Sequence, residues 1–259
     1  MNELRINLLQ YDILWHDVEG NHAKIQKLCE DMPQCHLLIL PEMFNTGFSM
    51  EPHLFGNTAA EQGIELMRQL SETYQTSVVG SLITLDSGKY FNRLYFITPE
   101  GDEYSYDKKH LFSLAGEEKV YTPGKERILV EYLGWKICPL ICYDLRFPVW
   151  SRQRPEEYYD LLLYVANWPQ RRSHAWRSLL PARAIENMAY VAGVNRIGYD
   201  AKGVYHSGDS AVFDVLGQSL ATASEGREEV ISANLSKSNL SELRESLGFL
   251  RDADRFELH

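Results

Sequence analysis

The run His36–Leu40 is apolar at successive positions, and Leu161–Ala166 repeats the pattern. A strand with one wet face alternates polar and apolar side chains; one that does not alternate is covered on both faces. Any sheet holding these runs therefore needs layers above and below it. Arg5–Leu9 reads as a first strand and Asn21–Met32 as an amphipathic helix. Thr58-Ala-Ala-Glu61 has the capping-box pattern and opens a helix to about Tyr74. Val78–Thr84 and Asn92–Thr98 are strands around a turn at Asp86-Ser-Gly88, and Pro99-Glu-Gly101 leads into a strand ending near Asp107. Residues 111–126 form a polar loop ending in Thr122-Pro-Gly124. Arg127–Tyr132 and Trp135–Ile141 pair across Leu133-Gly134. Ser173–Glu186 reads as a helix with a serine cap. Tyr190–Asn195, Ala211–Phe213, Ser219–Thr222 and Val230–Leu235 complete the strands before a short helix at Ser241–Leu247. A mixed sheet, or two sheets covered by helices, suits this order better than a doubly wound parallel sheet. No repeat, low-complexity stretch or linker divides the chain, so residues 1–259 read as one domain.

The formal net charge of −10 argues against nucleic acid as a partner. Cys29, Cys35, Cys138 and Cys142 form no tight framework, and the C-x3-C spacing of the last two fits neither a zinc site nor a thioredoxin-type motif. Free thiols fit a reducing, cytoplasmic setting. The N-terminus lacks the pattern of a signal peptide. No segment approaches the roughly 18 apolar residues of a membrane helix. The histidines show no metal-ligand spacing, so no metal is expected.

The strands ending at Leu40, Asp107, Ile141 and Ala166 each run into a polar segment. These are Pro41-Glu42, Lys108-Lys-His110, Cys142-Tyr-Asp144 and Asn167-Trp-Pro169. Strand ends are where α/β folds place their chemistry. Taken singly, a cysteine usually fills core space, a lysine is solvated and a glutamate caps a turn. Together, a thiol, a carboxylate and an ammonium are the parts of a cysteine hydrolase that works without histidine. Asp144 and Arg146 read as a structural ion pair, and His110 as a hydrogen-bonding support for the Lys108 segment. Cys138 should share the sheet face of Cys142, deeper in the core.

The segments LPEMFNTG (Leu40–Gly47), YDKKHLF (Tyr106–Phe112) and ICYDLRFP (Ile141–Pro148) resemble the three catalytic motifs of the nitrilase superfamily, the carbon–nitrogen hydrolases, in the family's order. The resemblance spans nearly the whole chain. It implies a four-layer α-β-β-α sandwich, a single carbon–nitrogen hydrolase domain, no cofactor and a homodimer. The apolar positions of Trp176–Ile185 suit a helix at the dimer contact. Carried over residue by residue, Glu42 matches the general base and Cys142 the nucleophile. Lys108 matches the lysine, with Lys109 its rival in register. Glu117 matches a second glutamate, with Glu118 its neighbour. The backbone N–H of Tyr143 joins Lys108 in stabilising the oxyanion. Phe44, Phe48 and Trp168 are expected to wall the pocket and Asn167 to line it. Arg171 or Arg172 is expected to meet an anionic substrate. FNTGFSM, CYDLRFPVWS and ANWPQRR look most like the ω-amidase branch. That branch hydrolyses the terminal amide of short α-keto dicarboxylic acid monoamides such as 2-oxoglutaramate, which arise when glutamine is the amino donor, as in methionine salvage. The rival readings are an amidase, carbamoylase or nitrilase for another small substrate, and a non-catalytic binding relative.

Overall fold

The computed structural model describes residues 1–154 and 157–256. The first half contributes β1 (Glu3–Gln10), α1 (Val18–Cys29), β2 (Leu37–Ile39), α2 (Thr58–Tyr74), β3 (Ser77–Asp86), β4 (Lys89–Ile97) and β5 (Glu103–Asp107). It is followed by β6 (Val130–Tyr132), β7 (Trp135–Ile141), the short α3 (Pro148–Ser151), β8 (Leu161–Ala166), α4 (Ser173–Asn187) and β9 (Tyr190–Asn195). Then come β10 (Ile197–Tyr199), β11 (Tyr205–Ser207), β12 (Ala211–Phe213), β13 (Ser219–Thr222), β14 (Glu229–Ser236) and α5 (Lys237–Leu247).

Two six-stranded sheets result, in the orders β14-β1-β2-β3-β4-β5 and β13-β12-β9-β8-β7-β6. In each, three parallel strands lie at the centre and antiparallel strands at the flanks. Leu37 and Ile39 of β2 pack with Ile137 and Leu140 of the opposite sheet. Leu38, between them, packs with Ile25 and Cys29 of α1 and with Met67 and Leu70 of α2. Both faces of β2 are thus covered, as are all six residues of β8. Each fully buried Leu or Ile contributes about 1.5–3 kcal/mol of transfer free energy. With α4 on β9, the layers are α-β-β-α. Asp86↔Lys89 and Tyr132↔Trp135 close two-residue hairpins whose central residues all have positive φ.

Several local expectations shift. α1 starts at Val18, because Asp17 caps it by accepting from the Gly20 amide at 2.9 Å. Thr58 is the first helical residue of α2, so no capping box forms. Asn57 precedes it and donates to Glu61 Oε1 at 3.2 Å. Ser173 is likewise inside α4, and its hydroxyl donates to Asp209 at 2.6 Å. α5 begins at Lys237, with Ser236 accepting from the Asn239 amide at 3.3 Å. Trp176, Leu180 and Ala184 are buried within this chain, which leaves Ile185 as the exposed apolar residue of that stretch.

Candidate active site

β2, β5, β7 and β8 all end at one edge of the sandwich, and their next residues converge there. Cys142 follows β7 directly and opens a 3-10 turn over Cys142–Arg146. Its φ of 42° is in the left-handed region, which for a non-glycine residue costs on the order of 1 kcal/mol or more. That kink breaks the alternation of β7, so the thiol leaves the sheet for the cavity while Cys138 stays fully buried. The amide of Tyr143 lies in the first turn, where N–H groups lack intrahelical partners.

Lys108 is almost completely buried, and its ammonium is shared. It donates to Glu42 Oε1 at 2.8 Å and to both oxygens of Glu117 at 3.0 and 2.9 Å. Glu42 is pinned further. Asn92 Nδ2 donates to its Oε1 and the Asn167 amide to its Oε2, both at 2.8 Å. The Asn167 side chain also donates to the Glu42 carbonyl. Glu117 Oε2 accepts from the Phe112 amide at 2.5 Å. Glu117, not Glu118, is the buried member of its pair, and Lys109 points away, its ammonium 5.3 Å from the centroid of the Trp150 ring. Gly124 ends the loop carrying Glu117, its amide donating to the Lys108 carbonyl at 2.9 Å. A Cβ there would lie 2.0 Å from the Asp107 carbonyl oxygen, so only glycine lets the loop close this tightly.

Burial works against the Lys108 ammonium, but Glu117 and Glu42 outweigh it and hold its pKa above the usual range. Burial raises Glu117, opposed by Lys108 and reinforced by Glu42. Burial also pushes the Cys142 thiol well above its ordinary value, and the Glu42 carboxylate pushes it further, against Lys108. At rest the site therefore holds a thiol beside a carboxylate.

The cavity over Cys142 has a volume of about 200 Å³. Phe48, Trp168, Asn167, Arg171 and Arg172 line it. Phe48 also lies under the Lys108 ammonium, 5.1 Å from its ring centroid. Phe44 does not line it. Its ring packs on β3, where a Cβ on Gly80 would come within 2.8 Å of it, and its carbonyl accepts from the buried Tyr11 hydroxyl at 2.5 Å. Sequence adjacency to Glu42 had suggested otherwise. Asp144 and Arg146 form no ion pair. Asp144 Oδ2 accepts from the Tyr106 hydroxyl at 2.7 Å and the Ile141 amide at 3.1 Å, and its Oδ1 from the amide and Nδ1 of His110 at 3.0 and 2.8 Å. Asp144 thus ties the Cys142 turn to the Lys108 segment through His110. Arg146 instead lies over Trp168. The sequence reading missed Asn92, Tyr121, whose buried hydroxyl donates to the Ser49 carbonyl at 2.6 Å, and His206 on the cavity wall. Among the described residues no group of three or more His, Cys, Asp or Glu side chains is placed to hold a metal ion.

The chain is similar to known proteins over its full length. The ω-amidase YafV of Yersinia enterocolitica is 42% identical over 259 residues, 100% of both chains. The 2-oxoglutaramate amidase of Bacillus subtilis is 33% identical over 254 residues, 95% of this chain and 96% of that one. Among solved structures, a CN-hydrolase superfamily protein of Xanthomonas campestris with an arsenic adduct in its active site superposes with a TM-score of 0.95, at 40% identity and covering 100% of both chains. The pattern of the family described as Carbon-nitrogen hydrolase matches residues 5–245, from the first strand into the last helix, and this chain belongs to that family.

Proposed function

We propose that this chain is an ω-amidase that hydrolyses the terminal amide of short α-keto dicarboxylic acid monoamides of the 2-oxoglutaramate type, with Cys142, Glu42, Lys108 and Glu117 as its catalytic set. The observation that carries the reading is the buried ammonium of Lys108 held by Glu42 and Glu117 beside the Cys142 thiol. Full-length similarity to ω-amidases and 2-oxoglutaramate amidases supports the substrate class.

The chemistry follows from the protonation states. Cys142 rests as a thiol, so its proton passes to Glu42 as sulfur bonds to the amide carbon. The carbonyl oxygen becomes an oxyanion, met by the Lys108 ammonium and the Tyr143 N–H. One such donor is worth about 3–4 kcal/mol of barrier. Glu42 then returns the proton to the amide nitrogen, the carbon–nitrogen bond breaks and ammonia leaves, with a thioester on Cys142. Glu42 next takes a proton from water, which attacks the thioester. The oxyanion forms again, the carbon–sulfur bond breaks, and the acid and the thiol are released. Glu117 holds Lys108 in place and charged throughout. All four cysteines are free and buried, which suits a reducing, cytoplasmic setting.

The test is ammonia release from 2-oxoglutaramate and from hexanamide, with Cys142→Ala as control. The expected result is much faster turnover of the acid, none in the variant, and an acyl adduct on Cys142 in quenched wild-type protein. Equal kcat/KM for the two amides would remove the ω-amidase reading, and an adduct on Cys138 would remove the nucleophile.

A further inference from the structure

We propose that Arg146 and Arg172 form a carboxylate clamp in the wall of the cavity, reading the acidic end of the substrate, and that Arg171 is not part of it. The clamp rests on the amidase reading above for the rest of the ligand, but its charge recognition is argued from the structure alone.

The chain carries 36 acidic residues against 26 basic ones, so a partly buried guanidinium here rarely lacks an acceptor. Arg93 meets Asp107 at 2.7 Å, Arg127 meets Glu157 at 2.7 Å, Arg196 meets Asp12 at 2.7 Å and Arg244 meets Asp160 at 3.3 Å. Arg146 and Arg172 differ. Both are half-buried and line the cavity, yet neither guanidinium forms an ion pair or donates a hydrogen bond among the described residues. Each lies over an aromatic ring instead, Arg146 at 4.9 Å from the Trp168 centroid and Arg172 at 4.8 Å from that of Phe112. Ring contacts favour the cation but accept none of its N–H donors. Asp200 lines the same cavity without an ion pair to either. Its Oδ1 accepts from the amides of Lys202 and Val204 at 2.9 and 2.8 Å, which holds the turn between β10 and β11.

Two half-buried guanidiniums without a protein acceptor leave their N–H donors facing the cavity for water or an anion, and a carboxylate entering it would meet both. Burial, and then repulsion from Arg171 and Arg146, lower the pKa of Arg172, while Cys142 and Tyr143 oppose the shift. The guanidinium is therefore within electrostatic reach of the nucleophile. An anion bound there belongs to a short chain whose other end lies at the thiol. Planar forks suit the oxygens of a carboxylate, and an adjacent keto oxygen adds a third acceptor. Arg171 is exposed, with no ring beneath it, so its charge is screened by salt.

The experiment has a binding arm and a turnover arm. Calorimetry of 2-oxoglutarate, the expected product, is run on Cys142→Ala protein. Arg146→Met and Arg172→Met are each expected to weaken binding on the order of 10²-fold. Arg172→Lys is expected to fall between them and the parent, because an ammonium lacks the fork. Arg171→Met is expected to change affinity by less than about threefold, an effect that vanishes in high salt. In protein with Cys142 intact, KM for 2-oxoglutaramate should rise with the same ranking, and KM for pentanamide should move by less than about threefold, since only the charged contact is lost. Unchanged product binding in Arg146→Met or Arg172→Met, a larger loss in Arg171→Met, or an equal loss for pentanamide would overturn the clamp. If a methionine variant does not fold, Arg146→Lys and Arg172→Lys carry the same comparison. Arginine-dependent binding of the dicarboxylate with no hydrolysis of any amide would instead leave the clamp standing and refute the amidase.

Discussion

Lys108 has a carboxylate on either side and almost no solvent, so neither neighbour is replaceable by water. Removing one partner of a buried ion pair costs about 3–5 kcal/mol, and in the proposed mechanism the lost group is also an oxyanion donor. Lys108→Met is therefore expected to cut turnover at least about 10³-fold and to lower Tm, whereas Lys109→Met should change turnover less than about threefold. Steady-state kinetics on both variants decides it, and the reverse ranking would transfer the role to Lys109. The raised pKa of Glu117 sets a pH dependence. Protonating it releases Lys108, so kcat/KM should fall with falling pH along a limb lying above the ordinary glutamate value of about 4.3. The raised thiol of Cys142 gives the other side of the profile: no climb with thiolate formation near the ordinary cysteine value of about 8.5. A profile that rises through pH 8–9 would contradict this. Glu42, Lys108, Glu117 and Cys142 were legible because each stands in a short segment of unusual chemistry at a strand end. Asn92 was not, since a neutral amide inside an ordinary strand gains its meaning only from the two carboxylates it meets. Phe44 misled because Met43, at φ 45°, turns the chain beside it, and sequence proximity does not say on which side of that turn a ring falls.

The β10–β11 hairpin shows what an element adds beyond its residues. It lies outside both large sheets and brings Asp200, Val204 and His206 to the cavity. Its strands have three residues each, too few for any periodicity to show, so it was invisible in the sequence. The longer strands were legible because burial on one or both faces writes itself into every second or every position. The helix caps were misplaced for a different reason: Thr58 and Ser173 are good cap residues by type, but which residue caps depends on where the preceding turn ends. His206 gives the hairpin a measurable signature. Burial, with Arg196 nearby, lowers its pKa to about 4. An unfolded chain takes up a proton near pH 6.5 and the folded one does not, so stability falls as pH drops from about 6.5 to about 4. The loss is at most about 3 kcal/mol, because each tenfold drop in proton affinity on folding is worth about 1.4 kcal/mol. Denaturant titrations at pH 7 and pH 4.5 should show a smaller pH effect in His206→Gln than in the parent, and identical slopes would show that His206 titrates freely.

Across the whole molecule, the proposed catalytic set is divided between the sheets. Glu42 and Lys108 follow strands of the first, whereas Cys142 and Asn167 follow strands of the second. A shift of one sheet on the other would separate the Cys142 thiol from Glu42, so loss of activity in denaturant should track loss of the shared core. An inactivation midpoint well below the unfolding midpoint by circular dichroism would show that the edge opens independently. The layering was legible from β2 and β8, whose unbroken apolar runs demand cover on both faces. The pairing of β1 with β14 was not, because the backbone ladder between strands so far apart in sequence leaves no local mark, and the one side-chain hydrogen bond across it, from the Ser232 hydroxyl to Asn7 Oδ1 at 2.7 Å, joins two residues of ordinary type. They pair along their whole length, from Glu3↔Ser236 to Gln10↔Glu229, more than two hundred residues apart. One edge of β1 is thus satisfied only by a strand made more than two hundred residues later. Until β14 is in place β1 presents an unsatisfied edge, the kind of surface on which chains join to one another. A chain stopped after Gly226 should therefore be inactive and aggregate, and a separately supplied β14 peptide should restore solubility. For this fold, the first sheet is complete only once the strand farthest along the chain from β1 has been made.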